Sequence, residues 1–273
     1  MDELKDNESN NNLSEDEEFE LSHTDKLVGI FTEPSSIFEK TAQFPPKLID
    51  WFLPLLAVIV ISILAYVVIT SNPVIKYSLI EKQMKAVEER FDEMVKQGQL
   101  TEAQKEQQLE QTRNFMENSS GATLIFSAVG ISISMFIMFF LITLYFFLVA
   151  KFGLKGEGGY NSAMVAYGLP YYILIIQAIL TVILSLAFSR FVMGTSVAVF
   201  LDMDTKEITG FLLSKVDPIS IWFYVVFGIG LAKMFKSDNT KKYIIMVLGS
   251  WLGFSIIFFF LAKQVSFLQN FIQ

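Results

Sequence analysis

The sequence predicts an all-α membrane protein with five transmembrane helices and a helical hairpin inserted between the first and the second. Hydrophobic residues make up 52% of the 273-residue chain, and 27 of its residues are Phe. Soluble domains carry fewer apolar side chains than this. Apolar runs near or above the roughly 18 residues that cross a bilayer recur along the chain. One long hydrophilic segment, after the first run, accounts for the predicted hairpin.

The charged and reactive residues exclude several functions. Residues 1–22 are acidic and Asn-rich, so we expect a disordered tail there. The chain has no Cys, and its one His, His23, precedes every predicted span. We therefore expect no enzymatic activity, no cofactor and no metal site in the membrane body. Nothing in the charge distribution indicates nucleic-acid binding.

Residues 23–48 are predicted to form an amphipathic juxtamembrane segment. Two short apolar patches flank Pro34, and Pro45 with Pro46 ends the segment before the first span. We interpret the patches as short helices lying on the membrane surface. A plain juxtamembrane linker is the alternative.

The first span covers 49–70, with Trp51 and Tyr66 as expected interfacial anchors. The other predicted spans are 122–149, 164–188, 219–235 and 243–261, all within residues 122–262. The apolar stretch 191–201 is too short to cross a bilayer. We interpret it as an extension of the third span or as an interfacial segment. Residues 202–216 are predicted to be a polar loop, and 263–273 a C-terminal tail.

Residues 71–121 are predicted to form an extramembrane helical hairpin. An apolar stripe recurs at helical spacing in its first half, Gly98 ends that helix, and Thr101 begins the next with a capping box. The stripe needs a partner, which is the second helix, the membrane surface or another subunit.

The spans contain few polar or helix-breaking residues. Gly168 and Pro170 are predicted to bend the third span, because proline removes a backbone hydrogen bond and clashes with the preceding turn. Gln177 is predicted to make an inter-helix hydrogen bond, with a role in lining a substrate path as the alternative. Gly249 and Gly253 form a GxxxG pattern, interpreted as packing within the bundle, with a homodimer contact as the alternative.

Three stretches are distinctive: LVGIFTEPSSIFEKTAQFP before the first span, GGYNSAMVAYGLPYY at the third, and VDPISIWFYVVFGIGLAKMF at the fourth. Together they resemble the bacterial branch of the Yip1 family, over about residues 25–262. The last contains Asp217, Pro218 and Trp222 in the family's Asp-Pro, Trp, Gly-x-Gly pattern. The resemblance implies five helical spans and a cytoplasmic N-terminus. Eukaryotic relatives act with Rab-type GTPases, but the Asp-Leu-x-Gly-Pro motif is missing here, which argues against GTPase binding.

Two functions remain from the sequence. The first hypothesis is a non-enzymatic scaffold, a membrane-organising or partner-binding factor, and the alternative is a small permease or an accessory subunit of a transport complex. Charges at the span ends rather than their interiors argue against an ion-coupled pump. Partners would be the lipid bilayer and either a membrane protein or a second copy. We expect a bacterial cytoplasmic membrane, with the N-terminus cytoplasmic and the C-terminus outside.

Overall fold

The computed structural model describes residues 20–117 and 121–264 as a bundle of helices. Most of the expected acidic tail and of the C-terminal tail lies outside the described residues. In chain order the helices are α1 His23–Thr32, α2 Pro34–Thr41, α3 Ile49–Thr70, α4 Pro73–Lys96, α5 Glu102–Glu117, α6 Gly121–Leu148, α7 Tyr160–Gly168, α8 Tyr171–Ala187, α9 Val197–Phe200, α10 Ile208–Ser214, α11 Pro218–Met234 and α12 Thr240–Gln264. A π-helical turn, Val149–Gly153, extends α6.

Four helical segments are long and apolar enough to cross a membrane: Ile49–Thr70, Ala128–Gly153, Tyr160–Ala187 and Thr240–Gln264. A fifth span arises if α10 and α11, which are bent by 56° at a short break, are taken together. The described residues contain no strand. The predicted all-α, multi-pass architecture is therefore confirmed.

The predicted hairpin is made by α4 and α5. Asn72 accepts hydrogen bonds from the first amides of α4, and Pro73 occupies its first turn. Thr101 and Gln104 hydrogen-bond reciprocally at the start of α5. Ile80 and Met84 of the apolar stripe are buried, whereas α5 buries none of its residues. The hairpin follows from local capping signals that the sequence contains.

The α1 and α2 helices exist as predicted, and part of each apolar face packs on the bundle. Ile30 and Phe38 are fully buried in the main hydrophobic core. The Phe38 ring packs against Gly230 of α11, where an added Cβ would come within 2.6 Å of the ring. A large ring gains more contacts in a cleft made by glycine than on a lipid surface, so the segment folds back onto the bundle.

Aromatic side chains fill the centre of the bundle. Trp51, expected to anchor the first span at the interface, stacks instead on Phe139 of α6, with ring centroids 5.4 Å apart. Phe139 also contacts Tyr167, and Tyr167 contacts Phe227 at 4.8 Å. These rings join α3, α6, α7 and α11. Trp51 is therefore part of the aromatic packing of the bundle.

The third span begins at Tyr160, earlier than predicted, and its helix is interrupted between Gly168 and Tyr171. Pro170 lies in the interruption, as expected for a residue that cannot donate a backbone hydrogen bond. Gly168 has a packing role as well. A Cβ there would lie 2.5 Å from the Trp51 Cα, so glycine allows α7 and α3 to approach closely.

The segment between α8 and α11 differs from the prediction. The third span ends at Ala187, followed by Ser189 with a positive φ of 50°, so the 191–201 stretch does not extend that helix. The expected polar loop contains the helix α10. Phe211 of α10 stacks on Phe259 of α12 at 4.3 Å. This buried ring contact holds α10 to the bundle in a stretch that looked polar in sequence.

The GxxxG pattern makes no close packing contact within the described bundle, and the alternative of a homodimer contact stays a prediction. An added Cβ at Gly249 or at Gly253 would meet no atom within 4 Å, so this face of α12 is unpacked. The close approach between α11 and α12 is made elsewhere. A Cβ at Gly228 would lie 2.7 Å from the Ile244 Cα. Spacing alone therefore did not identify which small residues face a neighbour.

Candidate functional site

A cavity of about 940 Å³ lies at one end of the bundle, where α8 and α11 are joined by residues 188–217. Most of its walls are formed by α4 of the hairpin, the joining segment itself and the second half of α12, and Gln177 of α8 and Ser220 of α11 also line it. The cavity exists because the hairpin lies beside the joining segment. We name it the end cavity.

The inner wall of the end cavity is a network centred on Asp217. This carboxylate is 4% exposed. Its Oδ1 accepts hydrogen bonds from the Ile219 and Ser220 amides at 3.0 and 3.1 Å, which caps the N-terminus of α11. The Thr195 hydroxyl donates to Oδ1 at 2.8 Å, and the Thr195 amide donates to Oδ2 at 3.0 Å. Backbone and side-chain donors thus satisfy this buried charge, and no ion pair to it is formed within residues 20–117 and 121–264.

Gln177 completes the network. Its Nε2 donates to Asp217 Oδ2 at 2.9 Å and to the Ser220 hydroxyl at 3.0 Å. The amide therefore makes inter-helix hydrogen bonds from α8 to α11 while also lining the end cavity. Pro218 follows directly in the first turn of α11, where its missing amide costs nothing. The structure thus brings together three of the residues singled out in the sequence.

The remaining residues singled out in the sequence lie elsewhere. Trp222 packs edge to face on Phe31 of α1, with centroids 5.8 Å apart, and so helps to hold the N-terminal helices. Gly168 and Pro170 form the interruption in the third span against Trp51. Gly249 and Gly253 face away from their neighbours among the described residues.

The rim of the end cavity is charged. Its cationic side chains are those of Lys82, Lys85, Arg190, Lys206 and Lys215, and its carboxylates are those of Glu89, Asp202, Asp204 and Asp217. Arg190 pairs with Asp202 and also donates to the Val199 carbonyl at 2.7 Å. The Lys215 ammonium lies 4.9 Å from the centroid of the Phe211 ring, a cation–π distance.

The wall contributed by α12 is mainly apolar. It carries Trp251, Phe254 and Phe258, all within the candidate span Thr240–Gln264. Trp251 stacks on Tyr224 of α11 at 4.5 Å, and Phe254 contacts Tyr145 of α6 at 5.0 Å. Phe254 and Phe258 remain exposed. The end cavity therefore combines a charged rim with an aromatic wall.

A second polar cluster, which the sequence did not indicate, is buried between α1, α3 and α8. Lys26 Nζ donates to Asp50 Oδ2 at 2.6 Å, and both residues are at most 3% exposed. His23 Nδ1 lies 3.0 Å from Asp50 Oδ1, and His23 Nε2 lies 2.7 Å from the Tyr172 hydroxyl. Asp50 is at the end of its own helix, as expected, and His23 links it to Tyr172 of α8.

One sequence signal points to this cluster in retrospect. Lys26 and Ile30 are spaced i,i+4, so the lysine lies on the apolar face of α1. A single cation on an apolar face indicates a buried partner when the helix packs on protein. Only the fold shows that the partner is Asp50.

The two clusters are suited to holding helices together. In the described part of the chain, no three His, Cys, Asp or Glu side chains converge to hold a metal ion. Asp217 and Asp50 each have hydrogen-bond partners for both carboxylate oxygens, as a structural carboxylate requires. The arrangement supports packing and surface recognition.

The fold and the end cavity define an α-helical multi-pass membrane protein that has an aromatic-filled bundle and a polar cavity at one end. The family model of the Yip1 domain matches residues 28–262. The chain therefore belongs to the Yip1 family. No curated protein and no solved structure matches it.

Proposed function

We propose that this protein is a non-enzymatic membrane scaffold that binds a membrane-protein partner. The observation that carries the proposal is the aromatic filling of the bundle centre. Phe146 and Phe227 are 4.8 Å apart, and Tyr171 contacts both Phe139 and Phe223 at 5.7 Å. Rings at these distances are in direct contact and fill the space that a carrier would use for its substrate path.

The position of the end cavity supports partner binding. The cavity opens at one end of the bundle, and the exposed α4–α5 hairpin forms part of its wall. A partner reaching this end would meet α4, the joining segment and α12 at once. The site thus suits recognition of another molecule at the surface.

The alternative is an accessory subunit or small permease in a transport complex. The contact between Gln177 and Asp217 favours it, because an amide and a carboxylate line the end cavity. Polar groups at such depth also mark substrate paths in transporters. The two functions predict different effects of Gln177→Leu on solute flux: only the transport function predicts a flux that this substitution abolishes.

The test is isolation from native membranes in a gentle detergent, followed by mass spectrometry and native mass of the complex. We expect a stoichiometric membrane-protein partner. Purified protein in vesicles is expected to show no solute flux. A lone monomer in native membranes would overturn the scaffold proposal.

Flux that disappears in Gln177→Leu would instead establish transport. The matched control is Gln107→Leu, the same change at an exposed position of α5. Flux lost in both variants would indicate general damage and would count against a path through Gln177. Thermal unfolding of each variant separates lost function from lost folding.

A further inference from the structure

The end cavity has a polarity that the scaffold function does not use. One side carries lysines from α4 and from the joining segment, outside the candidate span of α12. Another part of the lining carries Trp251, Phe254 and Phe258, which belong to that span. A molecule that fills the cavity therefore meets both ammonium groups and aromatic rings.

The charges of the rim do not cancel. Asp202 is paired with Arg190, whereas Asp217 keeps its negative charge, because its five hydrogen-bond donors are neutral. The charges that remain are the four lysines Lys82, Lys85, Lys206 and Lys215 against the three carboxylates of Glu89, Asp204 and Asp217, a net charge of +1. Within residues 20–117 and 121–264, none of these four ammonium groups makes an ion pair. The rim thus has an excess of unpaired positive charge.

The apolar wall continues into a lipid-facing surface. Phe254 and Phe258 are exposed, and so are Ile257 and Leu261 on the same helix. An acyl chain can lie along this surface without leaving the apolar part of the span. A volume of about 940 Å³ holds a headgroup together with the first part of a chain.

We propose that the end cavity binds a phospholipid with a net-negative headgroup. The headgroup phosphate lies among Lys82, Lys85, Lys206 and Lys215, because basic pockets beside membrane helices attract anionic headgroups. The acyl chain lies along Phe254 and Phe258. Lys215 is held over the Phe211 ring, so its ammonium points to a fixed place in the rim. The lipid bridges the hairpin and α12.

The experiment is native mass spectrometry of the full chain titrated with phosphatidylglycerol and, separately, with phosphatidylcholine of identical acyl chains. We expect phosphatidylglycerol to bind about tenfold more tightly, because the two headgroups differ in net charge. Equal binding of the two lipids would overturn the proposal. Inorganic phosphate is the third probe. Phosphate binding as tight as that of phosphatidylglycerol would show that a free anion is the ligand, which also overturns it.

Reversal of the lysine charges in the rim tests where the lipid headgroup binds. Lys82→Glu combined with Lys85→Glu is expected to lower phosphatidylglycerol affinity by at least about tenfold and to leave phosphatidylcholine unchanged. The matched control is Lys241→Glu with Lys242→Glu, an exposed pair at the start of α12, outside the cavity lining. Both pairs are exposed, so folding should be preserved. An unchanged affinity of the cavity variant for phosphatidylglycerol would show that the headgroup does not bind at Lys82 and Lys85.

Truncation of a side chain in the apolar wall tests where the acyl chain of the lipid lies. Phe258→Ala is expected to weaken phosphatidylglycerol binding several-fold, whereas Ile245→Ala, at an exposed position of α12 outside the cavity lining, leaves it unchanged. Equal effects of the two changes would contradict the assigned place of the chain. Partner capture from native membranes is measured on the same variants, so failure of lipid binding and failure of the scaffold function are separate results.

Discussion

At the scale of single residues, two buried aspartates are stabilised in different ways. Asp217 receives hydrogen bonds from two backbone amides of its own helix, from both groups of Thr195 and from Gln177. Asp50 relies on the Lys26 ammonium and on His23. A carboxylate held by fixed dipoles tolerates the loss of one donor. A carboxylate held by one cation becomes an unpaired buried charge when that cation is removed.

This difference predicts the effect of Lys26→Met. The change should destabilise the protein by about 3–5 kcal/mol, because Asp50 would be left buried without its counter-ion. Adding Asp50→Asn should recover a large part of the loss, since the neutral amide can still contact His23. Thermal unfolding of the purified protein in nanodiscs is the measurement.

The matched control is Lys47→Met. Lys47 pairs with Glu20 at 2.7 Å, but both side chains are substantially exposed. Removal of an exposed pair should cost less than about 1 kcal/mol. If Lys26→Met costs no more than Lys47→Met, the pair with Asp50 does not contribute to stability.

At the scale of helices, the small residues of α11 and α12 have opposite surroundings. Gly228 lies against the backbone of Ile244, and Gly230 lies against Phe38. Gly249 and Gly253, which match the GxxxG pattern, face open space among the described residues. Close packing thus uses the small residues that meet a neighbouring backbone. The outward pair is available to lipid or to a second molecule.

The contrast predicts different outcomes for two alanine substitutions. Gly228→Ala should destabilise the bundle by about 1–3 kcal/mol, because the added methyl overlaps the Ile244 Cα. Gly249→Ala should be neutral or stabilising by up to about 1 kcal/mol, because alanine favours a helix more than glycine does. Unfolding midpoints of the two variants test this. A loss in Gly249→Ala comparable to that in Gly228→Ala would mean that a neighbour covers this face.

At the scale of the whole molecule, the connections between successive spans lie alternately at the two ends of the bundle. The end cavity and the α4–α5 hairpin lie at one end, while residues 150–159 and the turn between α11 and α12 lie at the other. The Glu157 amide donates to the Phe235 carbonyl at 3.0 Å, which joins these two connections. The orientation in the membrane remains a prediction, with the N-terminus in the cytoplasm and the hairpin outside.

Cysteine labelling tests this orientation without interference, because the chain contains no Cys. Gln99→Cys places a thiol at the exposed tip of the hairpin, and Glu157→Cys places one at the exposed opposite end. We expect a membrane-impermeant maleimide to label Gln99→Cys in intact cells and Glu157→Cys only after permeabilisation. The reverse pattern would invert the topology and place the end cavity in the cytoplasm.

The sequence alone determined the features whose cause is local. The spans follow from hydropathy, the start of α5 from the Thr101–Gln104 capping box, and the interrupted third span from Gly168 and Pro170. Each depends on side chains within a few positions of one another. These predictions needed no knowledge of which helices touch.

Only the tertiary structure decided which side chains meet across the bundle. Asp50 is 27 positions from His23, and His23 is 149 positions from Tyr172, so no periodicity connects them. The same is true of Gln177 and Asp217, which are 40 positions apart. A hydrophobic pattern gives the apolar face of a helix but not the neighbour that covers it. The folding back of α1 and α2, the outward face of Gly249 and the end cavity depend on that choice of neighbour, because it is set by packing of the whole chain.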